Sequence, residues 1–475
     1  MTGMATQQLG RWASSLDYLS LPQPVIEAAI RSFQNSLGSI LGGSNHPTTQ
    51  RTIKALQPLF GDRKCTIIGH AELSGSAVSC DLQHAALING IASHVHDYDD
   101  THLHTVIHPA GAVVVSLLAL AEYLKLEEGR IVSGKDFITA LVAGIEIGLR
   151  IGNAVSPKHY DEGWHITGTV SPMAVAAASS NLLRLTPEQT ANAISIASTQ
   201  PVGVRVHFGT DTKPFHVGRA AQNGILAAML AKGGFTAAPD ALEGRRGWVE
   251  VLGNGSNTLS EQVNQLLQLS EKSQSSAVGR EIWEIEKNTF KPFPCGIVIH
   301  PTIDACVQLH KEHDLQNIKD LDKIDSVHLR VHPLVLDLTG KKSPKDGLEA
   351  KFSVYHGAAI GLALGSATPA EYEDNIVNDK RVLTVRAKVT AEVDETVHSD
   401  EAIVTLTMQG GVRNEKHVEH AVGSLDRPMT NEELHEKFMS QAIPVLGKER
   451  ATEVESMAWE ICDVRDVARL AKAAR

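Results

Sequence analysis

The sequence has few of the residues and patterns that mark several common protein classes. Only five of its 475 residues are cysteine, their spacing is irregular, and no CxxC pair occurs. A disulfide framework and a cysteine-bound zinc site are therefore not expected, and a reducing compartment is the default. The longest apolar stretch, near residues 110–121, is shorter than the roughly 20 residues that a membrane-spanning helix needs. We therefore expect no membrane segment.

Positive charge and the familiar nucleotide and hydrolase motifs are also scarce. The net charge is −11 and no basic run occurs, so a nucleic-acid partner is not expected. No GxGxxG, P-loop, GxSxG or HExxH pattern is present, so nucleotide-binding, serine-hydrolase and zincin functions have no support. The N-terminus lacks a basic stretch followed by an apolar one, so a secretory signal is not expected. The sequence predicts a soluble, cytoplasmic protein and leaves a mitochondrial address open.

Helical patterns dominate both ends of the chain. Thr186 and Thr430 each begin a capping sequence, with Gln189 and Glu433 three residues later. Gly233-Gly234 is a helix stop signal. Apolar stretches rich in alanine and leucine predict helices over residues 112–125, 137–148, 172–183 and 221–232.

The middle of the chain has a different pattern. Alternating, β-branched stretches predict strands over residues 326–331, 382–389 and 403–408, with a helix over 352–363 between them. We predict a mainly α protein with an inserted α+β domain. The large all-helical domain is built from both chain ends, residues 1–275 and 428–475, and residues 276–427 form the smaller α+β lid domain.

Residues 94–108, HVHDYDDTHLHTVIH, hold five histidines and three aspartates. Such a cluster indicates metal binding, proton transfer or recognition of a charged small molecule. The HxH pairs His94/His96 and His102/His104 suggest a metal, but HxH presents both rings on one side only in a strand. The surrounding pattern predicts helix ends and not a strand. We therefore favour an acid–base or substrate-binding site, with surface or helix-capping histidines as the alternative.

Four further segments hold candidate functional residues in restrictive contexts. Residues 163–169, GWHITGT, bracket His165 with glycines, and residues 212–219, TKPFHVGR, place Lys213 before a proline that favours an extended backbone. Taken alone, a buried histidine with satisfied hydrogen bonds and a surface lysine are the ordinary interpretations of these two segments. The last two segments are a proline-braced loop before a helix, KPFPCGIVIHP at 291–301, and KFSVYHG at 351–357.

Together and in this order, the five segments resemble the MmgE/PrpD family, which includes 2-methylcitrate dehydratases and cis-aconitate decarboxylases. The resemblance covers nearly the whole chain. It implies a helical domain formed by both chain ends, an inserted lid domain, a homodimer and chemistry that needs no metal or organic cofactor. By motif it implies catalytic roles for Asp97, His108, His165 and Lys213, and substrate binding by Thr101 and His300. From the same segments we add Lys291, His356 and His104 as substrate-binding candidates.

The resemblance implies that a proton is removed or delivered next to a carboxylate, with loss of water or carbon dioxide. In this scheme Lys213 binds a substrate carboxylate, His165 and His108 form an acid–base pair, and Asp97 holds one imidazole in its useful tautomer. Thr101 hydrogen-bonds a carboxylate, and His300 completes the site when the lid closes.

The predicted function is dehydration of a citrate-type tricarboxylate, such as 2-methylcitrate or a longer alkylcitrate. Two alternatives use the same site: decarboxylation of cis-aconitate to itaconate, and epimerisation of a dicarboxylate such as iminodisuccinate. A metal-binding or inactive scaffold is the alternative from a different class. The chain departs from the decarboxylase branch at His356, where that branch has a tyrosine.

Overall fold

The computed structural model of the chain describes residues 4–62, 64–70, 79–255, 257–272 and 282–475. Within these residues the protein is mainly α-helical, with a small sheet-containing portion, as the sequence predicted. The helices before residue 273 are α1 (Ala5–Ser15), α2 (Gln23–Ser44), α3 (Pro47–Leu56), α4 (Leu82–His94), α5 (Ala110–Glu127), α6 (Gly134–Val155), α7 (Lys158–Asp161), α8 (Ile166–Leu183), α9 (Pro187–Ser198), α10 (Thr212–Lys232), α11 (Trp248–Leu252) and α12 (Leu259–Lys272).

The later helices are α13 (His300–Glu312), α14 (Ile318–Asp322), α15 (Pro333–Thr339), α16 (Gly347–Ala350), α17 (Val354–Leu364), α18 (Asp374–Val377), α19 (Lys380–Arg386), α20 (Asn431–Leu446), α21 (Lys448–Trp459) and α22 (Val467–Ala473). The strands are β1 (Cys65–Thr66), β2 (Ser79–Cys80), β3 (Asp100–His102), β4 (Asn288–Phe290), β5 (Ile324–Val331), β6 (Val389–Val393), β7 (Ala402–Met408) and β8 (Arg413–Val418).

The described residues form two large hydrophobic cores and one small cluster of Phe290, Met429 and Leu434. The first draws on residues 5–285 and again on 438–474, so both ends of the chain build one helical part. The second draws on residues 295–421 and forms the sheet-containing part. The domain limits at 276 and 427 stay a prediction, and residue 276 falls in 273–281, outside the described residues.

Small residues bring the helices of the helical part into close contact. Helix α10 packs against α4 and α8. A Cβ on Gly90 would lie 2.6 Å from the Cα of Gly218, so the backbones of α4 and α10 touch where they cross. This crossing brings the C-terminal end of α4 close to the start of α10. Residues of these two helix ends form much of the site described below.

The sheet-containing part holds a four-stranded sheet in the order β6-β5-β7-β8. Strand β5 pairs parallel with β6 and antiparallel with β7. The strand predictions at 326–331 and 403–408 are confirmed by β5 and β7, and the helix predicted at 352–363 is confirmed by α17.

The strand predicted at 382–389 is wrong, because this stretch is mostly helix α19. The Asp379 side chain accepts a hydrogen bond from the Arg381 backbone N–H and caps the helix. Val382 and Val385 are both buried, and their three-residue spacing puts them on one helix face. The strand begins only at Val389. β-branched residues are typical of strands, so the sequence pattern did not indicate this short capped helix.

Strand β3 joins the histidine-rich segment to the entry of the sheet-containing part. It pairs antiparallel with β4, with Thr101 opposite Thr289. The expectation that residues 94–108 contain no strand is therefore wrong. The pairing arises far along the chain, at residues 288–290, and the local pattern does not show it. The following backbone N–H, of Lys291, donates to the Asp99 carbonyl at 3.2 Å.

Helix α6 is long and apolar enough to cross a membrane by length and composition alone. Of its most apolar window, 94% is buried inside the protein, as in the core helix of a globular fold.

Candidate active site

Six of the nine predicted site residues line one cavity, which we call the inner cavity. Apolar and aromatic side chains, among them Phe208 and Phe352, close its walls. The polar side chains that line it include those six residues, Asp97, Thr101, His108, His165, Lys213 and Lys291, together with Tyr160 and Thr339.

Helix ends and strand ends position these side chains. Residues 94–108 run from the C-terminus of α4 to the start of α5. His165 is the N-cap residue of α8, and Lys213 lies in the first turn of α10. The extended backbone predicted for Lys213 is therefore wrong, because the first turn of a helix tolerates the following proline. Lys291 directly follows β4.

Two lysines share one carboxylate oxygen at the centre of the inner cavity. The Nζ of Lys213 and the Nζ of Lys291 lie 2.8 and 2.7 Å from Oδ1 of Asp97, and all three residues are buried. Burial alone would raise the pKa of Asp97, but the two ammonium groups hold it well below its usual range. Among the charged side chains that line the cavity, two ammonium groups meet one carboxylate, which favours binding of a further carboxylate there.

The sequence assigned Asp97 the task of holding an imidazole, but in the structure Asp99 makes that contact. Its Oδ2 accepts from Nδ1 of His94 at 2.7 Å, and its Oδ1 lies 3.4 Å from Nδ1 of His108. Asp97 has a left-handed backbone, with φ of 52°. That conformation is uncommon outside glycine. It turns the chain so that Asp97 and Asp99 meet different partners.

The tautomer of His108 follows from its hydrogen bonds. Its Nδ1 donates to the Asp100 carbonyl at 2.7 Å, and the Thr101 hydroxyl lies 3.2 Å from the same nitrogen. The neutral ring therefore keeps its lone pair on Nε2. Burial lowers the pKa of His108 to about 3, so the ring is neutral near pH 7.

His165 is paired with a second histidine. Its Nδ1 lies 2.9 Å from Nδ1 of His216, so one of the two nitrogens carries the shared proton. Nε2 of His165 is buried and has no hydrogen-bond partner among the described residues. Burial and the nearby Lys213 ammonium lower the pKa of His165 well below its ordinary value. The ring thus presents an unpaired nitrogen to the inner cavity.

Three imidazoles face one another at this site. One ring nitrogen from each of His94, His108 and His165 lies within 4.8 Å of the others, so these rings could hold a metal ion. The ammonium groups of Lys213 and Lys291 stand beside them, and like charge disfavours a divalent cation there. Of the residues in the two HxH pairs, only His94 belongs to this group of three.

Two other HxH members, His96 and His102, have structural partners. His96 Nε2 lies 3.1 Å from the Gly42 carbonyl. The His102 ring lies 2.9 Å from the Thr105 hydroxyl and 3.1 Å from the Glu284 carboxylate. These contacts account for the rings without a ligand.

The remaining predicted site residues lie outside the inner cavity. His104 is exposed and His300 is buried, and both line an adjoining cavity. His356 lines neither cavity. Its Nε2 lies 3.1 Å from the Glu371 carbonyl, and its ring packs edge-on against Tyr372.

The sequence interpretation missed three residues that the structure brings to the site. His94 was considered only as a metal ligand, and Asp99 and His216 were given no role. All three lie within the motifs already recognised. His216 follows Lys213 by three positions on α10, so helical periodicity alone places them on one face.

Comparison with known proteins gives a consistent family match. Residues 7–260 match the MmgE/PrpD N-terminal domain and residues 293–461 match the MmgE/PrpD C-terminal domain. The chain is 27% identical to the cis-aconitate decarboxylase-like protein oryM of Aspergillus oryzae, over 98% of this chain and 96% of that protein. It is 26% identical to cis-aconitate decarboxylase of Aspergillus terreus, over 98% and 94%.

A dehydratase is also among the similar proteins. The 2-methylcitrate dehydratase of Escherichia coli K12 is 24% identical, over 88% of this chain and 87% of that protein. The relatives therefore include lyases of two kinds. With both domain models matched across most of its length, the chain belongs to the MmgE/PrpD family.

Proposed function

We propose that this chain is a lyase that dehydrates a citrate-type tricarboxylate, 2-methylcitrate or a related alkylcitrate, with its own side chains as acid and base. The main support for the proposal is the arrangement of side chains in the inner cavity. It places two imidazoles beside two ammonium groups that share a single carboxylate.

Substrate binding is the first step supported by this arrangement. Asp97 is the only carboxylate among the described residues that pairs directly with Lys213 and Lys291, so a substrate carboxylate gives these ammonium groups a second anionic partner. A proton next to that carboxylate becomes removable only if the charge that develops on the carboxylate is stabilised. Fixed ammonium groups in a water-poor cavity provide that stabilisation.

His108 is suited to be the base. Its Nδ1–H is committed to the Asp100 carbonyl, so Nε2 is the nitrogen with the lone pair. A substrate with three negative charges raises the pKa of nearby imidazoles from the low value of the free site, toward the range where a base is effective. His108 Nε2 takes the proton from the carbon next to the carboxylate.

His165 is suited to be the acid. When the bound substrate favours its protonated form, Nδ1–H donates to Nδ1 of His216 and Nε2–H faces the cavity. The C–O bond breaks, the electron pair of the C–H bond forms the double bond, and the hydroxyl leaves as water with the His165 proton. His108 ends with one proton more and His165 with one fewer. Proton exchange with solvent restores both, while His216 positions His165.

Decarboxylation of cis-aconitate is the second candidate, favoured by the relatives that match nearly the whole chain. In this reaction the electron pair of the broken C–C bond moves toward a retained carboxylate as neutral carbon dioxide leaves, so it needs cations at that retained carboxylate and one proton donor to the carbon. His165 would serve as that donor. Only the dehydration uses both imidazoles, as base and acid.

A substrate panel followed by NMR in deuterated water tests the proposal. The panel holds 2-methylcitrate, longer alkylcitrates, cis-aconitate and iminodisuccinate. Formation of an unsaturated tricarboxylate from a citrate supports dehydration. Formation of itaconate from cis-aconitate as the main activity replaces it with the second candidate, and deuterium exchange without elimination points to an epimerase.

A further inference from the structure

A second, larger cavity adjoins the inner cavity, and we call it the outer cavity. Counted with the open solvent at its mouth, it holds about 1290 Å³ of empty space, against about 450 Å³ for the inner cavity counted in the same way. Five residues line both cavities and form their common boundary: Val106, Tyr160, Ile297, Val298 and Leu338.

The boundary and the walls of the outer cavity are mostly apolar. Leu103 and Leu334 add to the aliphatic side chains of the boundary, and Val422 and Leu425 lie on another wall. An aliphatic surface of this kind gains free energy when an apolar group displaces water from it.

The charges of the outer cavity are opposite in sign to those of the inner one. Asp161, Asp400 and Asp426 line it, and no lysine or arginine is among the described residues that do. His420, which lies beside the lining, is already paired with Asp400 at 2.9 Å. A further substrate carboxylate would meet like charge here, whereas the inner cavity attracts carboxylates.

The turn at the boundary holds a strained residue. Val106 has a positive φ of 59°, which is costly for a β-branched side chain. The turn is fixed by hydrogen bonds from the Val106 N–H to the His102 carbonyl and from the His102 N–H to the Ile107 carbonyl, both 2.8 Å. The fold therefore keeps an aliphatic group between the two cavities despite the strain.

We propose that the outer cavity is a subsite for an apolar, uncharged substituent of the tricarboxylate, an alkyl chain of several carbons. The substrate class would then be alkyl-substituted citrates and not citrate itself. This inference rests on the proposed function, because the tricarboxylate head must occupy the inner cavity for its substituent to reach the outer one.

The first test compares kcat/KM along a series of citrates with methyl, ethyl, butyl and hexyl substituents. Each added methylene group is expected to raise kcat/KM by roughly three- to four-fold until the cavity is filled. An analogue of equal length that ends in a carboxylate is expected to be a poorer substrate than the alkyl one. A flat series, or equal turnover of the carboxylate-ended analogue, would overturn the subsite.

A blocking variant tests the location of the subsite. Leu334→Trp fills the outer cavity and is expected to shift the preference from hexyl- toward methylcitrate by at least ten-fold. Leu383→Trp is the matched control, because Leu383 lines neither cavity. Like Leu334, it lies on a short helix of the sheet-containing part, and the two side chains are similarly exposed, at 40% and 38%. Val422→Trp is a second blocking variant should Leu334→Trp fail to fold. An unchanged preference in a folded blocking variant contradicts the proposal.

A binding measurement separates failure of the subsite from failure of the proposed function. Tricarballylates with the same alkyl chains carry no hydroxyl group and cannot be dehydrated. If no citrate is turned over, the proposed function fails, and calorimetry with these compounds still tests the subsite. A Kd that falls as the alkyl chain lengthens supports the subsite. A Kd that stays constant or rises with chain length contradicts the subsite.

Discussion

The two sides of the inner cavity are built in different ways. The helical part supplies buried polar groups that are held by partners in the same part, such as Asp99 on His94 and His216 on His165. The sheet-containing part supplies mainly apolar walls, such as Val298. Acid–base groups on a preorganised body keep their geometry while the walls vary. Related lyases with different substrates can arise from such a division.

The largest combined effect on stability and turnover is expected at Asp97, the carboxylate that links the two lysines. Asp97→Ala leaves the buried ammonium groups of Lys213 and Lys291 without their shared anion. Breaking a buried ion pair costs about 3–5 kcal/mol, and we expect turnover to fall by roughly 10²–10³ or more. Denaturant unfolding and steady-state kinetics measure the two losses.

The matched control is an exposed ion pair whose carboxylate lies on the sheet-containing side. Asp337 lies 3.0 Å from Arg205 with a side chain that is 63% exposed. Asp337→Ala should cost no more than about 1 kcal/mol, because water already screens the pair. Similar losses in the two variants would contradict the view that the Asp97 cluster is dry and positively charged.

Removing either imidazole should lower turnover without unfolding the protein. His108→Gln and His165→Gln are each expected to lower kcat by about 10²–10⁴, the usual contribution of a general acid or base. Thermal unfolding should show that both variants stay folded. Near-normal turnover in either variant would remove that histidine from the mechanism. The two losses should not add, because both groups act on one transition state.

His216 should act on His165 and not on the substrate. His216→Phe removes the acceptor that stabilises the protonated His165 ring, so the pKa of His165 in the complex falls. Since His165 acts in its protonated form, activity at high pH should be lost at a lower pH than in the wild-type enzyme. We expect about a ten-fold drop in kcat with little change in KM, in line with the net value of a hydrogen bond to a charged group.

His216→Asn keeps an oxygen acceptor near the same position and should restore much of the pH profile. The profile of kcat, measured for the wild type and both variants, is the readout. A role in packing alone would leave the high-pH limb in place in all three proteins.

The smallest effect is expected at His356, on the sheet-containing side. Its ring lies outside both cavities, so His356→Phe should change kcat/KM by less than about two-fold. Loss of its hydrogen bond to the Glu371 carbonyl should cost about 0.5–1.5 kcal/mol of stability. A ten-fold fall in kcat/KM would return His356 to the substrate-binding set that the sequence predicted.

Sequence patterns predicted the long helices and two of the strands because burial on one face leaves a regular period. They failed at residues 382–389, where a side-chain cap on Asp379 decided the structure. The motifs identified most residues of the site. They did not show which aspartate of the DYDD sequence at residues 97–100 has which role. The left-handed backbone of Asp97 separates it from Asp99, and the Lys213–Lys291 pairing joins two distant segments.

The short pairing of β3 with β4 has a practical consequence for exchanging parts between relatives. Lys291 belongs to the later segment by sequence, yet its backbone is tied to Asp99 and its ammonium to Asp97. A chimaera joined before Asn288 would import a foreign strand and a foreign lysine into the acid–base centre. An exchanged segment that begins just after Lys291 and ends before α20 keeps that centre and the C-terminal helices native and exchanges the walls. Substrate preference could thus be transplanted between family members while the catalytic machinery stays intact.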